Sequence, residues 1–143
     1  MTGPLQRAER LALQAAIADA ERGHRGEIQV HLEPRYPGDG ARSRAAELFE
    51  LHGLDETRDG TGVLVYVAEL DRRVAVFAGP GVFGARTPAQ WTDVCARIAA
   101  GYRDGDRLRG LTDGLRVLAE VLREAAPGED DAGDELANEV HAS

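Results

Sequence analysis

Residues 60–84 read Gly60-Thr61-Gly62, then Val63-Leu64-Val65-Tyr66-Val67-Ala68, then Glu69-Leu70-Asp71-Arg72. They continue Arg73-Val74-Ala75-Val76-Phe77-Ala78 and close with Gly79-Pro80-Gly81-Val82-Phe83-Gly84. Two short apolar runs flank a polar four-residue turn, the signature of an antiparallel strand pair. The first run is apolar at every position, as expected of a central strand covered on both faces. A covered central strand requires helices above and below it, so this stretch sets the class as layered α/β.

Upstream, Leu5 to Arg22 has helical periodicity through Leu13, Ala16, Ile17 and Ala20, and Gly23 stands where a helix should stop. Gly26 to Glu33 alternates Ile28, Val30 and Leu32 with Glu27, Gln29, His31 and Glu33, which predicts a strand with one face buried and the other at least partly wet. A Pro/Gly loop follows. Ala41 to His52 then reads as a helix with Ala45, Leu48, Phe49 and His52 on one stripe.

Downstream, Thr87-Pro88-Ala89-Gln90 has the residues of a capping box with proline at the first helical position. Trp91, Val94, Cys95, Ile98 and Tyr102 supply the stripe of that helix. Asp106 is placed to cap a last helix carrying Leu108, Leu111, Leu115, Leu118 and Leu122, which Pro127-Gly128 ends. The expected order is α-β-α-β-β-α-α, a three-layer α/β/α sandwich with a small mixed sheet. The first two strands should be parallel through a right-handed crossover. Residues 1–126 form the domain, and residues 127–143 an acidic tail, either mobile or ordered on contact.

A chain of 143 residues suits one core. The formal net charge of −8 argues against nucleic acid as a partner. All 17 basic residues are arginine, which excludes Schiff-base chemistry and a lysine-dependent phosphate loop. A lone Cys95 gives no internal disulfide. Arg7, Glu9, Arg10 and Asp19 interrupt any leader-like apolar stretch, and no run reaches the ~20 apolar residues of a membrane span. The expected compartment is the cytoplasm.

The predicted topology groups Glu33, Asp39, Glu69, Asp71 and Arg72 at one end of the sheet. The other end collects Glu27, Asp55, Glu56, residues 59–62 and Gly79-Pro80-Gly81. Clustered carboxylates repel unless a cation or an arginine sits among them. Hard cations take several oxygen ligands, and glycine turns let backbone approach them. Residues 79–84 match G-x-G-x-x-G, but the preceding strand is antiparallel and Pro80 lacks an amide donor, so nucleotide binding is rejected. His24, His31, His52 and His141 show no metal-ligand spacing, and His31 reads as structural or partly exposed. Cys95 reads as a small buried hydrophobe.

Taken together, several pieces resemble the TPM domain family, found in bacteria and in the photosynthetic membranes of plants. The matching pieces are Gly26-Glu27-Ile28-Gln29-Val30-His31, Thr57 through Ala68, Asp71-Arg72 with Val76 and Gly79-Pro80-Gly81-Val82, and Trp91. Residues 102–114, with their Gly-Asp step, and Asp134 through Val140 complete the set. The resemblance implies an α/β/α sandwich and carries over Glu27, Asp59, Asp71 and Asp106 as matches to family positions. It also implies calcium or another divalent cation, acid phosphatase activity in some members, and roles in maintaining membrane proteins. The chain departs from the short-form pattern at Gly79, where Asp is common, and at Thr61, where Asn is common.

The expected function is an accessory, partner-binding domain with little or no catalysis. Its expected cation site comprises Glu27 and Asp59, with Asp104 and Asp106 as further ligands. The partner is a protein, and a membrane-associated one is consistent with the family. The alternative is an acid phosphatase acting on phosphomonoesters, with Arg72, Arg73 or Arg103 as cationic clamps.

Overall fold

The computed structural model describes residues 3–83, 88–128 and 140–142. The elements are α1 (Arg7–Ala20), β1 (Glu27–Glu33), α2 (Ala41–Leu51), a 3-10 turn (Leu54–Glu56), β2 (Gly62–Ala68) and β3 (Arg73–Ala78). They continue with the one-turn helix α3 (Pro80–Phe83), α4 (Pro88–Arg103), α5 (Arg107–Ala125) and β4 (Val140–Ala142). The sheet order is β3-β2-β1-β4. β1 and β2 are parallel, with Glu27 opposite Gly62 and Glu33 opposite Ala68. β3 returns antiparallel to β2.

β2 is buried at every position, as its unbroken apolar run requires. Its two faces feed two cores. Val63, Val65 and Val67 join Ile28, Val30 and Leu32 against α1, α4 and α5, where Leu13, Ile17, Val94, Ile98, Leu111, Leu115, Leu118 and Leu122 pack. Leu64 and Tyr66 face the opposite layer, meeting Ala45, Leu48, Phe49 and Leu54. The molecule is therefore the expected three-layer sandwich. Among the described residues no helix is long and apolar enough to cross a membrane.

The helix termini follow local chemistry. Gln6 and Glu9 form a reciprocal capping box at the start of α1. Asp106 accepts the Arg109 amide at 3.1 Å, so it caps α5 as the sequence predicts. Thr87, the expected cap of α4, lies outside the described residues. Cys95 is half-buried rather than buried.

One other feature departs from expectation. The alternating residues of β1 leave no wet face: Glu27, Gln29, His31 and Glu33 are all buried, at 2%, 4%, 6% and 7% exposure. β1 is an interior strand, with β2 on one edge and β4 on the other, and α2 comes down over this face through Arg44 and the following His52, which bond Glu33 and His31. Part of the segment read as a tail supplies β4, whose Val140, His141 and Ala142 pair in parallel with Val30, His31 and Leu32.

α4 and α5 cross closely at Gly101 and Gly110. A Cβ on Gly101 would lie 2.3 Å from the Gly110 Cα, with backbone rather than a flexible side chain in the way. Gly101→Ala should therefore overpack the crossing and destabilise by about 1–3 kcal/mol. Urea denaturation checks this, as a lowered midpoint with an unchanged m-value.

Candidate functional site

Strand direction sorts the polar residues into two ends. At the amino end of β1 and β2, the Glu27 amide donates to the Thr61 carbonyl at 3.1 Å, and the Gly81 amide to the Gly60 carbonyl at 2.9 Å. The three loops expected to meet do meet. They meet so closely that a Cβ at residue 79 would lie 2.3 Å from the Gly60 oxygen. Glycine at 79, where the resemblance leads one to expect Asp, is thus a requirement of this backbone packing. Thr61 likewise has a structural task, its hydroxyl donating to the Arg25 carbonyl at 3.0 Å.

The structure divides the four carboxylates expected to hold a cation. Glu27 and Asp59 lie at this end, and Asp59 is ion-paired with Arg25 at 2.7 Å. Asp104 and Asp106 lie at the other. The Arg25 amide donates to the Ala126 carbonyl, just beyond the far end of α5 from Asp106. A helix of 19 residues spans roughly 28 Å. Asp104 is paired with Arg109 at 2.8 Å, and Asp106 is occupied as the α5 cap. As a single four-ligand set these residues do not fit one cation. The signal was available in the sequence, since a helix of 16 residues leaving the end of β3 runs the whole length of the sheet before it turns. Among the described residues no group of three His, Cys, Asp or Glu is arranged to hold a metal.

The carboxyl end of β2 is organised differently. The Glu69 and Leu70 amides donate to the carbonyls of Glu33 and Pro34, at 2.8 and 2.7 Å. Asp71 accepts from the Tyr36 amide at 2.8 Å and from Arg35 at 2.9 Å, so this turn acid is structural. Glu69, at 9% exposure, accepts from the Tyr102 hydroxyl at 2.7 Å and from Arg107 at 3.0 Å. Burial and the bond to Glu69 push the Tyr102 phenol up, so it stays a protonated donor rather than a nucleophile.

Beside this buried group lies a cavity of about 460 Å³. Val67, Val74, Ala99, Glu69 and Tyr102 line it together with Arg72, Arg73 and Arg103. The first four-residue turn of the quoted sequence places Arg72 there with a left-handed backbone, φ +56°. Arg73 donates to the Arg72 carbonyl at 3.3 Å. Among the described residues none of the three arginines is in an ion pair. With Glu69 compensated by Arg107, the mouth is cationic over an apolar floor. A larger hollow of about 570 Å³ between α1 and α5 sets alanines among charges of both signs, Asp19, Glu120, Arg116 and Arg123, of which Asp19 pairs with Arg22 and Arg116 with Asp113, so it carries no excess of one sign.

This geometry has counterparts. A model of the TPM domain matches residues 1–121. This chain belongs to the TPM domain family. The NMR structure of the BA42 protein from the psychrophilic bacterium Bizionia argentinensis superposes on this TPM domain with a TM-score of 0.88. The two share 29% identity, over 100% of this chain and 98% of that one. The N-terminal domain of a P. gingivalis protein shares the fold at TM-score 0.69 and 21% identity, over 87% of this chain and 80% of that one. So does the N-terminal domain of cg2496 from Corynebacterium glutamicum, at 0.66 and 14%, over 90% and 80%. No curated protein matches.

Two buried groups give this TPM domain an acid-sensitive fold. His24 accepts from the Gly26 amide at 2.9 Å through Nδ1 and donates from Nε2 to the Ala20 carbonyl, so its ring is held neutral. Burial depresses it below its ordinary 6.5, against a weaker opposing effect of that carbonyl. Burial alone would raise Glu33. Hydrogen bonds from Arg44 and Tyr66 and the Arg44 charge outweigh it, leaving the carboxyl below 4.5. Both depressed groups contribute stability at neutral pH. His24 begins to lose its share as pH falls through about 6.5, and Glu33 loses its share below about 4.5. Urea midpoints should fall in both windows, and Glu33→Gln should flatten only the lower one.

Proposed function

We propose that this TPM domain is a non-catalytic accessory module that docks an acidic, amphipathic segment of a protein partner in the cavity beside the β2–β3 turn. One observation carries the reading: Arg72, Arg73 and Arg103 converge on an apolar floor with no ion pair among the described residues. Leu70, half-exposed on the same turn, adds an apolar contact at the rim. The remaining acid–base groups of this end are committed to one another, which suits binding rather than turnover. Charge complementarity here would give specificity and a salt-dependent association rate.

A peptide alternating glutamate with leucine, titrated into the protein at low salt, should shift the amide resonances of Val67, Val74, Ala99 and Tyr102. Triple reversal of Arg72, Arg73 and Arg103 to Glu should weaken binding at least tenfold. Shifts confined to another face, or an unchanged affinity in that variant, would remove the proposal.

The same three arginines support a second reading, a phosphomonoester clamp. The two are separated by turnover. Release of phosphate from an aryl phosphate at acid pH, lost in Arg103→Ala, would move the function to catalysis, whereas docking alone predicts none. A divalent cation would have Glu27 and Asp59 at hand at the opposite end. Support for it would be a calcium-dependent rise in Tm that Asp59→Asn abolishes.

A further inference from the structure

β3 is an outermost strand of the sheet, paired with β2 alone among the described residues. The glycine that follows it fixes the direction of its backbone groups. The Gly79 amide donates to the Gly62 carbonyl at 2.9 Å, so these two form a hydrogen-bonded pair. Such pairs recur at every second residue of an antiparallel ladder. In this register they are Leu64 with Phe77, Tyr66 with Ala75 and Ala68 with Arg73. Val74, Val76 and Ala78 therefore turn their N–H and C=O groups away from β2. They stand about 7 Å apart, two residues of extended chain. Among the described residues nothing bonds those groups.

The edge also lacks the devices that keep such strands apart, such as a charge or a proline along the strand. After Arg73 it reads Val74-Ala75-Val76-Phe77-Ala78, and each of these residues is half-buried. Val74, Val76 and Ala78 pack against the core under α4 and α5, and Ala75 and Phe77 against the core under α2. Both faces of the strand are thus held while its outer side stays open.

The arginine cavity says what belongs there. Val74, the first outward-facing residue, lines that cavity beside Arg72 and Arg73. A strand added in the antiparallel sense, the more stable pairing, runs toward the start of β3 and ends at those guanidinium groups. A second copy of this chain paired through its own β3 would set the start of one strand against the end of the other, and the arginines would meet no carboxylate.

We propose that β3 takes up an extended segment of an acidic partner protein as an added antiparallel strand, with carboxylates at the segment's carboxyl-terminal end seated in the arginine cavity. This rests on the docking function proposed above and gives it a register. Val74, Val76 and Ala78 supply the ladder, and Arg72, Arg73 and Arg103 read the end. Main-chain bonds give such a complex affinity, and the charged end gives it direction.

The probe is the peptide acetyl-Thr-Val-Thr-Val-Glu-Glu, matched to the six residues of β3. At low salt it should slow amide exchange at Val74, Val76 and Ala78 about tenfold or more, and leave Ala75 and Phe77, already bonded to β2, unchanged. N-methylation of alternate peptide residues should weaken binding about tenfold in one phase and have no effect in the other. Val76→Pro removes an outward donor and spares the β2–β3 ladder, so it should weaken binding by a similar factor, with folding verified by Tm. The reversed sequence acetyl-Glu-Glu-Val-Thr-Val-Thr should also bind about tenfold less tightly. Unchanged exchange at the three residues, or equal affinity in both N-methyl phases, would overturn the added strand. If the triple arginine reversal still weakened binding, cavity docking would survive that result. Affinity indifferent to the arginines would instead remove the cavity reading and the direction with it. A dimer formed without peptide and abolished by Val76→Pro would overturn the foreign partner in favour of a second copy.

Discussion

One guanidinium holds four parts of this domain together. Arg107, at 4% exposure, donates from Nε and Nη2 to Glu9 in α1, from Nη1 to Glu69 at the end of β2, and from Nη1 and Nη2 to the carbonyls of Gly3 and Pro4. All five of its N–H donors are thereby satisfied. A buried cation is costly unless its pairing is complete. Here the completeness comes from residues between 38 and 104 positions away in sequence. The guanidinium fixes where α5 starts, how α1 leans, and which way the Glu69 carboxylate points. It therefore also sets the floor of the arginine cavity.

The polar face of β1 raises the same problem a second time and solves it sideways. Glu33 is neutralised by Arg44 and receives the Tyr66 hydroxyl, while His31 reaches across to His52. Two buried ionic clusters thus stand at the two layers of one sheet. One underlies the arginine cavity, and the other lies beside the His31–His52 pair. The amino end of the sheet is different, since there backbone meets backbone at Gly60, Gly79 and Gly81 and little room is left for a ligand.

The backbone was legible in the residues because its signals are local. The apolar run 63–68, the Asp106 cap and the leucines from 108 to 122 each act within one element, and each appears where it was read. The close approach of the Gly60 and Gly79 loops also followed from strand direction alone. What could not be read depended on distant partners. Alternation along β1 normally marks a wet face, and only the arrival of β4 and α2 buries it. Arg107 looks like any charged residue in a helix's first turn until Glu9 and Glu69 surround it. Asp104 and Asp106 lie at the end of the sheet away from Glu27 because the 16 residues of α4 carry the chain along its length.

The last strand is only three residues long, yet it alters what the sheet presents to its surroundings. β1 has an open hydrogen-bonding side beyond β2, and Val140–Ala142 occupies it along Val30, His31 and Leu32. Exposed edges of this kind template pairing with foreign strands. With β4 in place the sheet ends on that side in an edge of three residues, a short template for strand exchange, whereas without it the seven residues of β1 would offer bare amides to any neighbour able to extend beside them.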